Sequence, residues 1–224
     1  MDNLPMFISF IFGLTVVLTI YWFFMATKCK VFLAIAIGWA MLQSFLAVSG
    51  LYQDTTSMPP RLMFFGIFPT LIFIAATFLT AKGKLFIDNI DLKTLTAFHG
   101  IRIPVEIVLS LLFHYGVVSV YMTFEGTNFD LFSGLTAPVV AWFAFRHTTN
   151  KRLLLGWNII CLLLLLNVVI TAIFAFPSPF QKLAFDQPNI AVQYFPFNLL
   201  PTVVVPLVLF AHLTAIRRLV KKDH

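Results

Sequence analysis

Of the 224 residues, 60% are hydrophobic and 11% charged, and phenylalanine alone occurs 27 times. That balance lies far outside a soluble globular domain, so water is not the solvent for most of this surface. The net charge of +6 comes from basic residues that recur between apolar runs and form no single patch, which argues against a nucleic-acid partner and makes the charges markers of topology.

Apolar runs of spanning length lie at about 5–27, 31–51, 62–81, 95–120, 153–176 and 195–216, since ~20 apolar residues in a helix cross a hydrocarbon core. A seventh, 131–145, is shorter and contains Pro138. The first run follows Met1, Asp2 and Asn3 with no positive segment and precedes Lys28 and Lys30, so it reads as a retained helix entering with the N-terminus outside. Only two cysteines occur: Cys29 lies between lysines and Cys161 inside an apolar run, a pattern that gives no disulfide framework. The connection 81–97 mixes Leu85, Phe86, Ile87 and Ile90 with Lys84, Asp88 and Asp91; it reads as interfacial, with Asp91 capping the fourth span. Pro177, Pro179, Pro188 and Pro196 predict an irregular, stiff sixth connection that lids one face.

Charge decides the status of the short run. With all seven segments crossing, Lys28, Lys30, Lys82, Lys84, Lys93, Arg146, Lys151, Arg152, Arg217, Arg218, Lys221 and Lys222 share one side. The other side keeps only Arg61 and Lys182, beside Asp2, Asp54, Glu125, Asp130 and Asp186. Dropping the short span breaks this segregation. The expected fold is therefore an all-α polytopic transmembrane bundle with seven spans, N-out/C-in, over 1–224 as one integral membrane domain.

On the fourth span, His99, Arg102, Glu106, Ser110 and His114 follow at spacings of three, four, four and four, which places them on one helix face. Ionisable groups are costly in hydrocarbon, so this stripe faces other helices or a wet cavity. One reading makes Arg102, Glu106, Ser110 and His114 a ligand or proton site centred on Glu106, whose charge is set by burial against a paired Arg102. The other makes Arg102 and Glu106 an i,i+4 pair that knits the bundle, with Arg102 snorkelling toward the cytoplasm. Pro104 adds a possible kink and frees a carbonyl.

Glu125, Asn128 and Asp130 lead into the short fifth span, and a dip of this run into the outer leaflet would set two carboxylates at an outward mouth. With Asp54 and Arg61 they make a candidate cation or polar-solute site, and a solvated acidic loop with a turn at Gly126 explains them equally. Gln43, Asn158 and Asn167 read as interhelical hydrogen-bonding amides. His99 and His212, expected at similar depth, are candidate ligands of a b-type haem; no second pair is available for a two-haem relay.

No zinc-protease, nucleotide-binding or nucleophile-elbow motif occurs, and no lysine precedes Lys221 in the last span to carry a retinal Schiff base. Nothing therefore points to an enzymatic reaction. The leading expectation is a small-solute or ion permease or sensor of a cell membrane, with the lipid bilayer as its surroundings. The absence of Asn-x-Ser/Thr sequons and the short loops fit a bacterial inner membrane. A membrane cytochrome and a non-catalytic assembly subunit are the alternatives.

Overall fold

The computed structural model describes residues 4–146 and 148–221; Met1, Asp2, Asn3 and Lys222, which entered the topology argument, lie outside them. About 74% is helical and no strand occurs among the described residues, so the class is all-α as expected. Uninterrupted apolar sequence favours this outcome, because a helix satisfies its backbone polar groups within one segment.

Helix α1 (Met6–Thr27) ends where Lys28 adopts φ 50° and donates its N–H to the Phe24 carbonyl. Helix α2 (Lys30–Val48) starts at once. A π-helical turn, Met63–Ile67, leads into α3 (Phe68–Leu79). At Thr80 the backbone becomes extended, and its hydroxyl accepts from the Gly83 N–H to cap α4 (Ala81–Asp88). The chain bends there by 86°. Gly83 is required at this corner, since a Cβ would lie 2.1 Å from the Thr77 carbonyl oxygen.

Asp91 caps α5 (Leu92–Phe98), its carboxylate accepting from the Thr94 N–H at 2.9 Å, as the sequence predicts. A 3₁₀ turn, His99–Ile101, passes into α6 (Arg102–His114), and together they form one span-length segment, Leu92–His114. The change of winding sits one turn before Pro104, whose ring cannot donate to the Gly100 carbonyl. The expected span to residue 120 stops early. Gly116, at φ 75°, donates to the Phe113 carbonyl while the Val117 N–H reaches Leu112, a left-handed C-terminal cap that outweighs the apolar Val117 and Val118 beyond it.

Helix α7 (Leu131–Ala144) includes Pro138 and has fourteen residues. Helix α8 (Lys151–Ala175) is capped by the Asn150 side chain, and α9 (Val205–Val220) follows a second π-helical turn, Leu200–Val204. Among the described residues five segments, counting α5 and α6 together, are long and apolar enough to cross a membrane; a sixth is added if the bent α3–α4 pair is one span, and α7 falls short of that length.

The α5–α6 segment and α9 are the most enclosed. Phe23, Phe98 and Phe210 meet there edge-on, and α8 packs along α9. Helix α2 is peripheral, with Val31, Ile35, Met41 and Phe45 exposed. Apolar exteriors of this kind suit hydrocarbon. The connection 176–199 crosses the end of α6. There the Gln187 side chain donates to the Phe113 and Val118 carbonyls, and the Asn189 side chain accepts from the Ser119 N–H.

Candidate functional site

The stripe on α5–α6 divides between two buried networks and an exposed end. Arg102 lies about midway along Leu92–His114 and is 4% exposed. One Nη donates to Asp130 at the start of α7, and the other lies 2.8 Å from His212 Nε2 on α9. Guanidinium can only donate, so Nε2 accepts and the imidazole proton sits on Nδ1, directed at Asn158 Oδ1 2.8 Å away. The Asn158 amide nitrogen meanwhile donates to the Leu154 carbonyl. Each donor and acceptor along Arg102–His212–Asn158 thus fixes the next.

Glu106 belongs to the second network. Its Oε1 accepts from the Phe124 N–H and its Oε2 from the Asn128 amide, both at 2.7 Å. The same amide nitrogen also donates to the Met122 carbonyl, and Asn128 Oδ1 accepts from the Asp130 N–H. Helix α6 and the chain 120–130 therefore run side by side, with Glu106 tied to Phe124 and Asn128 and, one turn earlier, Arg102 tied to Asp130. Gly134 extends the close approach: a Cβ there would stand 3.1 Å from both Arg102 Cβ and Ile103 Cγ1.

This arrangement corrects two expectations. Arg102 and Glu106 do not pair with each other, because nearer partners on another segment take both groups. Nor does Arg102 snorkel, since Asp130, itself 13% exposed, and His212 hold its two terminal nitrogens in place, while Nε has no partner among the described residues. Among the described residues no cation pairs with Glu106.

The haem reading also fails on geometry. His99 and His212 are stacked face to face, with ring centroids 3.9 Å apart and planes 17° from parallel. A macrocycle has no room between rings already in contact, and both His212 nitrogens are engaged by Arg102 and Asn158. The residues do not fit a bis-histidine haem, whose ligands approach from opposite faces. Trp157 packs edge-on against His99 and donates to the Thr136 hydroxyl, locking the stack from α8.

The remaining candidates scatter. Ser110 lies one turn beyond Glu106, and its carbonyl is 2.7 Å from Nδ1 of the exposed His114. Asp54 and Arg61 pair with each other at 2.8 Å, near the residues joining α2 to α3. Glu125 is exposed while Asn128 is buried. The five outer-mouth candidates therefore do not converge, and Asn128 and Asp130 serve the Glu106 and Arg102 networks instead. Asn167 donates to the Thr127 carbonyl, and Gln43 donates to Phe65 while accepting from Tyr52. Ser133, whose hydroxyl joins Asp130, and Trp157 carried no signal in the sequence, since nothing local relates either to the stripe.

A cleft of about 420 Å³ opens between α6, the 120–130 chain and α7. Glu106 and Ser110 are its polar residues; Ile103, Ile107, Leu111, Phe124, Leu131 and Leu135 line the rest. A smaller groove of about 210 Å³ between α2, α3 and α9 is almost wholly apolar and stands apart from both networks.

Fold and site together define an all-α protein with several span-length apolar helices and a buried arginine–aspartate–histidine network beside a carboxylate cleft. The family described as a domain of unknown function (DUF8737) matches residues 59–220, and the chain belongs to it. That match runs from before α3 to the end of α9 and contains Arg102, Glu106, Asp130 and His212. No curated protein and no solved structure matches the chain.

Proposed function

We propose that this chain is a small-solute or ion permease or sensor of a bacterial inner membrane, and that Glu106 is its ligand- or proton-binding group. The observation that carries the reading is the Glu106 carboxylate itself: buried, held by two N–H donors, without a cationic partner among the described residues, and lining a cleft. Ionisable groups within spans mark ligand and proton paths by default, because their desolvation is otherwise uncompensated. Arg102, one turn away on the same helix, is already committed to Asp130, so neither takes over the role.

Seven crossings with N-out/C-in belong to the same proposal. Helix α7 has the length of about two-thirds of a span, and the 120–130 chain runs alongside α6 to reach its start, so irregular chain and short helix complete one crossing. Irregular backbone is tolerated at depth where it is covered by protein or lines a cavity. Phe124 and Asn128, bonded to Glu106, sit about 12 Å below the end of α6 at 1.5 Å per residue. The α4 segment, with Lys82 and Lys84, lies along the cytoplasmic surface in this topology.

The test is binding or transport of a monovalent cation as a function of pH in reconstituted protein. The charged group acting on Glu106 is Asp130, just before α7 and held by Arg102, with the Phe124 and Asn128 donors from the dipping chain. Affinity is expected to rise as Glu106 ionises with increasing pH, and Glu106→Gln is expected to flatten the profile while the protein remains folded. An unchanged profile in folded Glu106→Gln would remove this role.

A further inference from the structure

We infer that the Glu106 cleft takes a lipophilic organic cation, with its charge toward Glu106 and its apolar groups in the cleft, entering sideways from the lipid; the inference rests on the role proposed above for Glu106. The rim gives the direction. Ile107 and Leu135 are each 53% exposed and Phe124 is 52% exposed, so the walls that meet the surroundings are apolar side chains of α6, α7 and the dipping chain. In a span these surfaces face hydrocarbon, which gives the cleft a lateral mouth. The connection 176–199 crosses the end of α6 through Gln187 and Asn189, covering the approach along the helix axis.

The lining gives the class of ligand. Six of the cleft's eight residues are apolar, with Glu106 and Ser110 the exceptions. Calcium and magnesium ions take six or more oxygen ligands, and a cleft with one carboxylate and one hydroxyl side chain does not replace their hydration shells. An organic cation needs one counter-charge and apolar contact for the rest, which is what this cleft presents. Charge sign follows from the pairing already described: Arg102 is neutralised by Asp130, leaving Glu106, once ionised, as the unpaired charge at the site. Two N–H donors fix the Glu106 carboxylate before a ligand arrives, so little side-chain freedom is lost on binding.

The test uses the full chain in phosphatidylcholine nanodiscs, with empty nanodiscs subtracted, titrated calorimetrically with tetraphenylphosphonium and separately with tetramethylammonium. Expected are saturable tetraphenylphosphonium binding, tetramethylammonium weaker by at least about tenfold, and a loss of about tenfold or more in both Glu106→Gln and Leu135→Trp. The second variant fills the mouth from an exposed position without touching the carboxylate. Comparable binding of both cations, lost in Glu106→Gln and unaffected by Leu135→Trp, would overturn the lateral lipophilic-cation site and leave the role of Glu106 standing. Saturable binding of tetraphenylphosphonium that is indifferent to Glu106→Gln, or no saturable binding of either cation, would overturn the inference; the pH profile of transport then judges Glu106 by itself.

Discussion

Arg102 ties α6 to two other segments, because its donors are divided between Asp130 at the start of α7 and His212 on α9. Removing one partner of such a pair leaves an uncompensated buried charge. Asp130→Asn is therefore expected to destabilise the protein by roughly 3–5 kcal/mol, read as a lowered unfolding midpoint in detergent. Replacing both partners, as Arg102→Met with Asp130→Leu, is expected to cost less than the single change, since no charge is then stranded. A single variant indistinguishable from wild type would show that the pair is not enclosed. The partly exposed Asp54–Arg61 pair differs in kind: solvent reaches and screens it, and Asp54→Asn is expected to shift the midpoint little.

Among the elements, the chain 120–130 is the one whose shape the site depends on. At Gly126 a Cβ would meet the Val120 carbonyl oxygen at 2.4 Å, a contact with backbone that no rotamer relieves. Gly126→Ala is expected to displace this chain, withdraw the Phe124 and Asn128 donors from Glu106, and weaken cation binding about as much as Glu106→Gln, while the overall helix content by circular dichroism is unchanged. Intact binding would show that the turn is not needed to hold the carboxylate. The junction of α4 with the end of α9 makes a second prediction. The ammonium of Lys221, hydrogen-bonded to Asp88, together with Arg217, holds that carboxyl below the usual carboxylate range despite some desolvation. A depressed carboxylate contributes stability above its unfolded pKa of about 3.9 and loses it as pH falls through the lower folded value. Acidification below about pH 4 should therefore loosen α4 from α9, detected as faster amide exchange in 81–88, and Asp88→Asn should show that exchange already at neutral pH.

For the molecule as a whole, the proposed topology puts 49–62 outside and both 80–91 and 145–150 inside. With Cys29 and Cys161 replaced by alanine, an impermeant maleimide added to intact cells is expected to label Ser57→Cys and to leave Lys84→Cys and Thr149→Cys unlabelled. External labelling of Thr149→Cys in addition to Ser57→Cys, with Lys84→Cys unlabelled, would remove the crossing assigned to α7, and the reverse pattern at all three positions would invert the protein. The outcome bears on the cleft, because lateral entry in the outer half of the bilayer requires the end of α6 to lie outside.

Much of the fold was legible in the sequence because the features that set it are local. Apolar runs of spanning length dictate helices where backbone polar groups must be satisfied within the segment, and Asp91 and the lysines after α1 mark their ends by chemistry that acts over one turn. Gly116 was also a local signal, hidden by the apolar Val117 and Val118 that follow it. The periodicity of His99, Arg102 and Glu106 identified the face on which the buried charge lies. It did not identify the partners. Arg102 chooses Asp130, 28 positions away, and His212, 110 positions away, over Glu106 on the next turn, because burial makes a charge seek whichever counter-charge and acceptors packing brings to it. Only the tertiary structure, by laying 120–130 along α6 and stacking His212 on His99, turned one polar stripe into a neutralised arginine network and a carboxylate left facing a cleft.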